Sequence, residues 1–440
     1  MAGRPDCKVF ASGEQLIIKR VMEQTQYFPQ LHSISQAKIT LGEIIAPTPL
    51  AGNPYLSGKY NSNVLLKRED LQIVRSYKIR GAYNKIRSLS AQMREAGVVC
   101  ASAGNHAQGV AFSCNKLNIK GYIYMPKTTP KQKIEQVKMF GNGNIEIILF
   151  GDNFDEANTQ AKLYAQQEGK TFIPPFDDPQ IIEGQATIGM EILNQATDKI
   201  DYIFIPIGGG GLAAGLGACI RQMSPNTKLI GVEPAGASGM KESFKAGEVV
   251  ELAKIDTFVD GAAVRKVGNY TYNICKQVLD DIITVPEGAV CTTILEMYNK
   301  NAMVVEPAGA LAVAALELYK DKIEGKNVVC IVSGSNNDIT RMEEIRERSL
   351  LHRGLKHYFI VRFPQRAGAL RSFITDVIGP KDDITHFSYT KKTSKERGPV
   401  VIGIELSDPD DLATLEKNML ENGFAYEYLN DKPLLFEFLV

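Results

Sequence analysis

The sequence has no excess of charge of either sign: 50 lysines and arginines balance 50 aspartates and glutamates over 440 residues. Such a chain exerts no overall pull on nucleic acid or on an anionic membrane, so neither is expected as a partner. It has no run of about 18 apolar residues, the length a membrane-crossing helix needs. Its N-terminus lacks the apolar stretch of a secretory signal. None of the seven cysteines, Cys7, Cys100, Cys114, Cys219, Cys275, Cys291 and Cys330, forms a C-x-x-C pair. Most lie in apolar runs and read as buried thiols of a reducing compartment, not as disulfide partners or metal ligands. A cytoplasmic protein without a metal is the expectation.

What is there is an ordinary globular composition, 44% apolar and 23% charged, with length for two or three domains. Between residues ~60 and ~350, short continuously apolar runs alternate with helical patterns. The runs include NVLLKRED, GVVCASAGN, GYIYMP, IEIILFG, DYIFIPIGGGG, KLIGVEP and NVVCIVSGSN. Strands buried on both faces of a parallel sheet read this way. Helical patterns such as TPKQKIEQVKMFG, NFDEANTQAKLYAQQEG and CTTILEMYNKNAMVVEPAGALAVAALELY lie between them. The fold class is therefore α/β, an open parallel sheet covered by helices. Residues 356–440 change pattern: strand, turn (PQRAG), helix, two strands and helix, closed by the apolar piece PLLFEFLV. That is close to a β-α-β-β-α-β unit. The expected organisation is an N-terminal extension (1–35), a main domain (36–345) and this second domain, joined through the charged helix near 338–353. A helix is expected at GEQLIIKRVMEQ in the extension, with no function attached.

Ligands of open α/β sheets bind beyond the carboxyl ends of the strands, and three such ends stand out. In PIGGGGLAAG, four glycines lead from a strand into a helix. They let the backbone approach an anion, which the N–H groups and positive end of the helix then bind. A phosphate is the natural occupant of Gly208, Gly209, Gly210, Gly211 and Leu212. The rival is a dinucleotide: Gly209, Gly211 and Ala214 fit G-x-G-x-x-A, and Glu233 follows at a distance suited to a ribose. In VVCASAGNHAQGVAF, a small-residue turn opens a helix near His106. Ser102, Ala103, Gly104 and Asn105 offer a carboxylate site there, and Asn105 a hydrogen bond to a ring substituent. His106 has two readings, packing or capping on one side and proton transfer on the other. In NVVCIVSGSNND, Ser333 ends a strongly apolar strand, so its hydroxyl needs a partner. A heteroaromatic nitrogen or a plain turn would satisfy it.

One small anionic aromatic cofactor accounts for all three ends. Pyridoxal phosphate has a phosphate, a ring nitrogen, a 3′-oxygen and an aldehyde, and the aldehyde needs a lysine. In RSYKIRGA, Lys78 stands between apolar neighbours near Arg75 and Arg80.

With these residues identified, the chain resembles the threonine dehydratases of the pyridoxal-phosphate family that shares the tryptophan-synthase β fold. The motifs are KRED (67–70), SYKIRGAYNKI (76–86), SAGNHAQGVA (102–111), GGGGLAAG (208–215), VEPAGA (232–237), EPAGALAVAAL (306–316) and SGSNND (333–338). They run in order over nearly the whole chain. The resemblance implies a two-lobed open parallel-sheet fold followed by a C-terminal α+β, ferredoxin-like (ACT-like) regulatory domain. It implies that Lys78 is the Schiff-base lysine, that Asn105 bonds the 3′-oxygen, that Gly208–Leu212 cradle the phosphate and that Ser333 bonds the pyridine nitrogen. The turn from Ser102 to His106 would hold the substrate carboxylate. Related serine racemases bind a cation through a Glu and an Asp; Glu233 matches the first, but Gly239 stands where the Asp would be. The implied activity is dehydration and deamination of L-threonine in isoleucine synthesis, with isoleucine as effector, valine as its antagonist and a homotetramer as the assembly. A serine/threonine dehydratase, a serine racemase and a dinucleotide-binding oxidoreductase are the competing readings.

Overall fold

The computed structural model describes residues 27–42, 44–390 and 396–439; the helix expected at GEQLIIKRVMEQ lies outside them. The chain divides into two compact units between Ile339 and Thr340. The charged joining helix, Met342–His352, therefore belongs with the second unit and not with the first.

In the first unit the strands are β1 (Leu50–Gly52), β2 (Asn63–Arg68), β3 (Val98–Ala101), β4 (Gly121–Met125), β5 (Ile145–Leu149), β6 (Thr171–Phe172), β7 (Tyr202–Pro206), β8 (Lys228–Pro234), β9 (Asp281–Val285) and β10 (Asn327–Val332). They form two sheets, as the two-lobed expectation requires. The larger has the order β1-β2-β10-β7-β8-β9 and is parallel except for β1; the smaller, β5-β4-β3-β6, is wholly parallel. This is the two-lobed α/β architecture. The seven apolar runs all became strands. β1 and β6, with three and two residues, are too short to show a pattern. β9 is an edge strand whose burial is mixed, so it lacks the continuous apolar run.

The long helical pattern at 291–319 is broken. One helix ends at Asn301, Ala302 turns through φ +52°, and the next helix begins at Pro307. Proline at the first helical position disfavours helix at the residue before it, and Glu306 is extended (φ −78°, ψ 164°). The break sends the Glu306 side chain to the carboxyl end of β10.

Helix Lys78–Ser88 crosses helix Pro179–Gln195 with almost no separation. A Cβ on Gly81 would stand 2.9 Å from the Ile181 carbonyl oxygen, and one on Gly184 would stand 2.7 Å from that of Arg80. Below this crossing lies a buried ion cluster. Arg80 donates to both oxygens of Glu69 (2.8 and 2.8 Å) and to both of Glu191 (2.6 and 2.9 Å), while Lys67 reaches Glu191 at 2.6 Å. The KRED motif and the second arginine of RSYKIRGA are thus one structure. Arg75 stays on the surface, its backbone left-handed (φ 59°) and its carbonyl accepting from the Ser335 N–H.

The second unit is a single antiparallel sheet with the order β12-β13-β11-β14, from β11 (Lys356–Pro364), β12 (Asp383–Tyr389), β13 (Arg397–Glu405) and β14 (Tyr426–Tyr428). Helices Ala369–Asp376 and Leu412–Glu421 complete the expected β-α-β-β-α-β order. One expectation is corrected: PLLFEFLV is not the closing strand, because residues 433–439 are helical. The last strand is the aromatic alternation Tyr426–Tyr428, whose two rings pack on Phe359 of β11 and occupy that edge.

The six described cysteines, Cys100, Cys114, Cys219, Cys275, Cys291 and Cys330, are buried and none is in a disulfide. No helix among the described residues is long and apolar enough to cross a membrane.

Candidate active site

The three strand ends meet around Lys78. This residue opens its helix, and its ammonium donates to the Pro175 carbonyl at 2.8 Å. It also lies 5.4 Å from the centre of the Tyr77 ring and 6.0 Å from that of Phe176. Burial pushes its pKa down to about 8, against a nearby Glu306 that pulls it up. A lysine with that value is partly neutral at physiological pH and can act as a base or nucleophile.

Gly208–Leu212 leave β7 and enter helix Gly211–Met223. Gly210 sits at φ +90°, a conformation natural to glycine. A Cβ on Gly209 would enter the Phe176 ring (2.2 Å) and one on Gly210 would strike Met240 (2.6 Å). The same Phe176 thus ties the loop to Lys78. The Gly209 carbonyl accepts from the Thr271 hydroxyl at 2.6 Å, which turns the loop and leaves the first amides of the helix to an anion.

Ser102, Ala103, Gly104 and Asn105 follow β3. The Ser102 hydroxyl accepts from the Gly104 N–H at 3.2 Å, forming a tight turn, and the helix starts at Asn105. This helix abuts Lys78, whose carbonyl oxygen is 3.2 Å from a Cβ built on Gly109. His106 follows the packing reading: its buried ring binds the Ile173 carbonyl at 2.9 Å, and burial, aided by Lys78, pushes its pKa down to about 3. A ring that neutral and that committed is not a proton shuttle, so a substrate contact from His106 would use its backbone N–H.

Ser333 is 3% exposed and its hydroxyl donates to the Ala308 carbonyl at 3.1 Å. Its own carbonyl accepts from the Tyr77 N–H at 3.2 Å, which docks the end of β10 beside Lys78. Glu306, which drew no role from the sequence, stands in the same place: Asn105 donates to it at 2.7 Å, and burial, together with Asp260, pushes it up to about 7. The signal that could have found it is the Glu-Pro pair, which caps and starts a new helix within the apparently continuous pattern.

Glu233 does not fit a ribose. It is wholly buried, and its two oxygens accept from the N–H groups of Met240 (2.7 Å) and Lys241 (2.9 Å). The Gly209-x-Gly211 turn therefore lacks the acidic partner of a dinucleotide site.

The site fits pyridoxal phosphate on its own geometry: a glycine turn whose Cβ positions are already taken up by Phe176, Met240 and Ala262, so that only backbone can line it, a lysine of lowered pKa that shares Phe176 with this turn, and a fully buried Ser76 hydroxyl without a partner two residues before that lysine. The fold and this site define a pyridoxal-phosphate-dependent enzyme. Residues 41–334 match the family described as pyridoxal-phosphate dependent enzyme, and residues 347–439 match the C-terminal regulatory domain of threonine dehydratase. The chain is 56% identical over 411 residues to the biosynthetic L-threonine dehydratase IlvA of Halalkalibacterium halodurans, covering 93% of this chain and 99% of that one. It is 55% identical to the same protein of Bacillus subtilis, covering 93% and 97%. Among solved structures, the processed threonine deaminase isoform 2 of Solanum lycopersicum matches with a TM-score of 0.69 and 40% identity, over 73% of this chain and 95% of that one. The chain belongs to the pyridoxal-phosphate-dependent family and, within it, to the biosynthetic L-threonine dehydratases.

Proposed function

We propose that this chain deaminates L-threonine by eliminating water and then hydrolysing the product, giving 2-oxobutanoate and ammonia, the committing reaction of isoleucine synthesis. The observation that carries the proposal is Lys78, its pKa lowered to about 8 where the glycine loop, the Asn105 turn and the end of β10 converge. The residues take the following parts. Amides of Gly208–Leu212 would hold the phosphate, Asn105 would bond the 3′-oxygen, and the Ser333 hydroxyl, now donating to Ala308, would turn to the ring nitrogen. When bound, pyridoxal phosphate supplies the electron sink for charge developing at the substrate α-carbon. The Ser102–Asn105 turn and the His106 N–H orient the substrate carboxylate. Lys78, as the free amine, would take the α-proton, and the β-hydroxyl would leave with a proton, so that the two together are lost as water. Hydrolysis of the released enamine yields ammonia and the oxo acid. The neutral Ser333 hydroxyl would hold the ring nitrogen without forcing a proton onto it.

The regulatory domain supports an effector, and isoleucine, the end product, is the one we propose, with valine opposing it and a cytoplasmic homotetramer as the working form. The test compares turnover of threonine and serine by wild type and Lys78→Ala, with and without millimolar isoleucine. Threonine should be preferred, the variant should lose both turnover and the visible absorbance of lysine-bound cofactor, and isoleucine should raise the threonine KM. Full turnover in Lys78→Ala would sink the mechanism; indifference to isoleucine would sink the regulation.

A further inference from the structure

Asn105 is held by two partners that fix which way its amide points. Its Nδ2 donates to Glu306 Oε1 at 2.7 Å, and its Oδ1 accepts from Asn336 Nδ2. Reversing the amide would set oxygen against carboxylate and NH2 against NH2, so only one orientation satisfies both neighbours. Asn336 is anchored in turn through Val74, whose carbonyl accepts from the same Nδ2 at 3.0 Å.

Glu306 is itself placed with little freedom. Pro307 holds it extended, its N–H donates to the Gly334 carbonyl at 3.2 Å, and it is 4% exposed. A Cβ on Gly334 would stand 2.3 Å from Glu306 Oε1, so the glycine after Ser333 makes the room that this carboxylate occupies. Lobe-bridging follows from the same contacts: Asn105 begins the helix after β3 of the smaller sheet, while Glu306 and Asn336 flank the end of β10 in the larger one.

We propose that Glu306 is a positioning residue: it takes one of the two Nδ2 hydrogens of Asn105 and, with Asn336, locks the amide so that the other is presented to the 3′-oxygen of the cofactor. The inference rests on the cofactor reading above. Glu306 acts through Asn105, and what it must supply is an acceptor at that reach.

The experiment titrates apo-protein with pyridoxal phosphate and records affinity together with the visible circular dichroism of the bound cofactor. Glu306→Met, similar in length but without an acceptor, should weaken binding at least tenfold and reduce the dichroism. Glu306→Gln, which keeps an oxygen at that reach, should stay within about threefold of wild type. In an Asn105→Ala background, Glu306→Met should change affinity less than twofold, because the group it positions is gone. Equal losses in both backgrounds, or a Gln variant as impaired as Met, would overturn the proposal. Should Glu306→Met not fold, Asn336→Ala at the partly exposed end of the clamp replaces it: several-fold weaker binding only while Asn105 is present supports the lock, and unchanged affinity refutes it. A wild-type protein that bound no pyridoxal phosphate would refute the cofactor reading itself, an outcome distinct from all of these.

Discussion

Replacing Arg80 by leucine tests whether the buried ion cluster holds the lysine-bearing helix in place. Arg80 makes five hydrogen bonds, two to Glu69, two to Glu191 and one to Thr187. Glu191 keeps Lys67 when Arg80 is lost, but Glu69 keeps only the Thr48 hydroxyl and the Gln72 amide. Removing one partner of a buried pair costs about 3–5 kcal/mol, because the other charge is left uncompensated. At about 2.1 cal/mol/K per residue, the catalytic unit of roughly 310 residues unfolds with an entropy near 0.65 kcal/mol/K, so ~4 kcal/mol lowers Tm by about 6 °C. Differential scanning calorimetry of the full chain reads this directly. The companion double variant Arg80→Leu/Glu69→Leu should recover more than half of the loss, since an apolar pair of similar volume needs no desolvated charge. The deficit should also depend on pH. Burial pushes Glu69 up, but Arg80 outweighs it and holds the carboxyl below its ordinary 4.5. A carboxyl lowered in the folded state stabilises above its ordinary value and loses that contribution as pH falls through the lowered one. The gap between wild type and Arg80→Leu is therefore widest at neutral pH and narrows on acidification. A Tm change under 1 °C, or a gap that widens in acid, would refute the reasoning.

Three further outcomes follow from the site. In the apo-protein, amine labelling of Lys78 read by mass spectrometry should be half-maximal near pH 8, where surface lysines are still largely protonated. Gly210→Ala forces a Cβ into a left-handed position 2.6 Å from Met240, so affinity for pyridoxal phosphate should fall at least tenfold while turnover at saturating cofactor falls less. Glu233 is pushed up to about 7 by burial, held back in part by the N–H groups of Met240 and Lys241. Its folded state therefore binds a proton more readily than the unfolded chain, and stability is lost as pH rises from about 4.5 to about 7. Glu233→Gln should flatten that part of the stability profile in urea titrations at pH 5 and 7.

Much of the site was legible because its residues sit where local rules are strong. Four glycines between an apolar strand and a helix specify close backbone approach whatever the rest of the chain does. That the Ser333 hydroxyl needs a partner was legible because it ends a buried strand, and in the structure that partner is the Ala308 carbonyl. Glu306 and Arg80 were not, because nothing local distinguishes a buried carboxylate or guanidinium from a solvated one. Their partners are 201 residues away in the case of Asn105 and 111 in that of Glu191. His106 shows a different limit: its neighbours left both packing and proton transfer open, and the Ile173 carbonyl, 67 residues away, is what shows the ring packed.

The sequence by itself determined the strands buried on both faces, the glycine cradle, the lysine and the α/β-then-α+β order, since each depends on residues adjacent in the chain. Only the tertiary structure decided the strand order within each of the two sheets, that PLLFEFL is helical, and that Phe176 links Lys78 to the glycine turn. It also decided which charges are buried in pairs. Those are matters of which distant surfaces meet, and a lowered lysine pKa or a locked amide exists only once water has been excluded from between them.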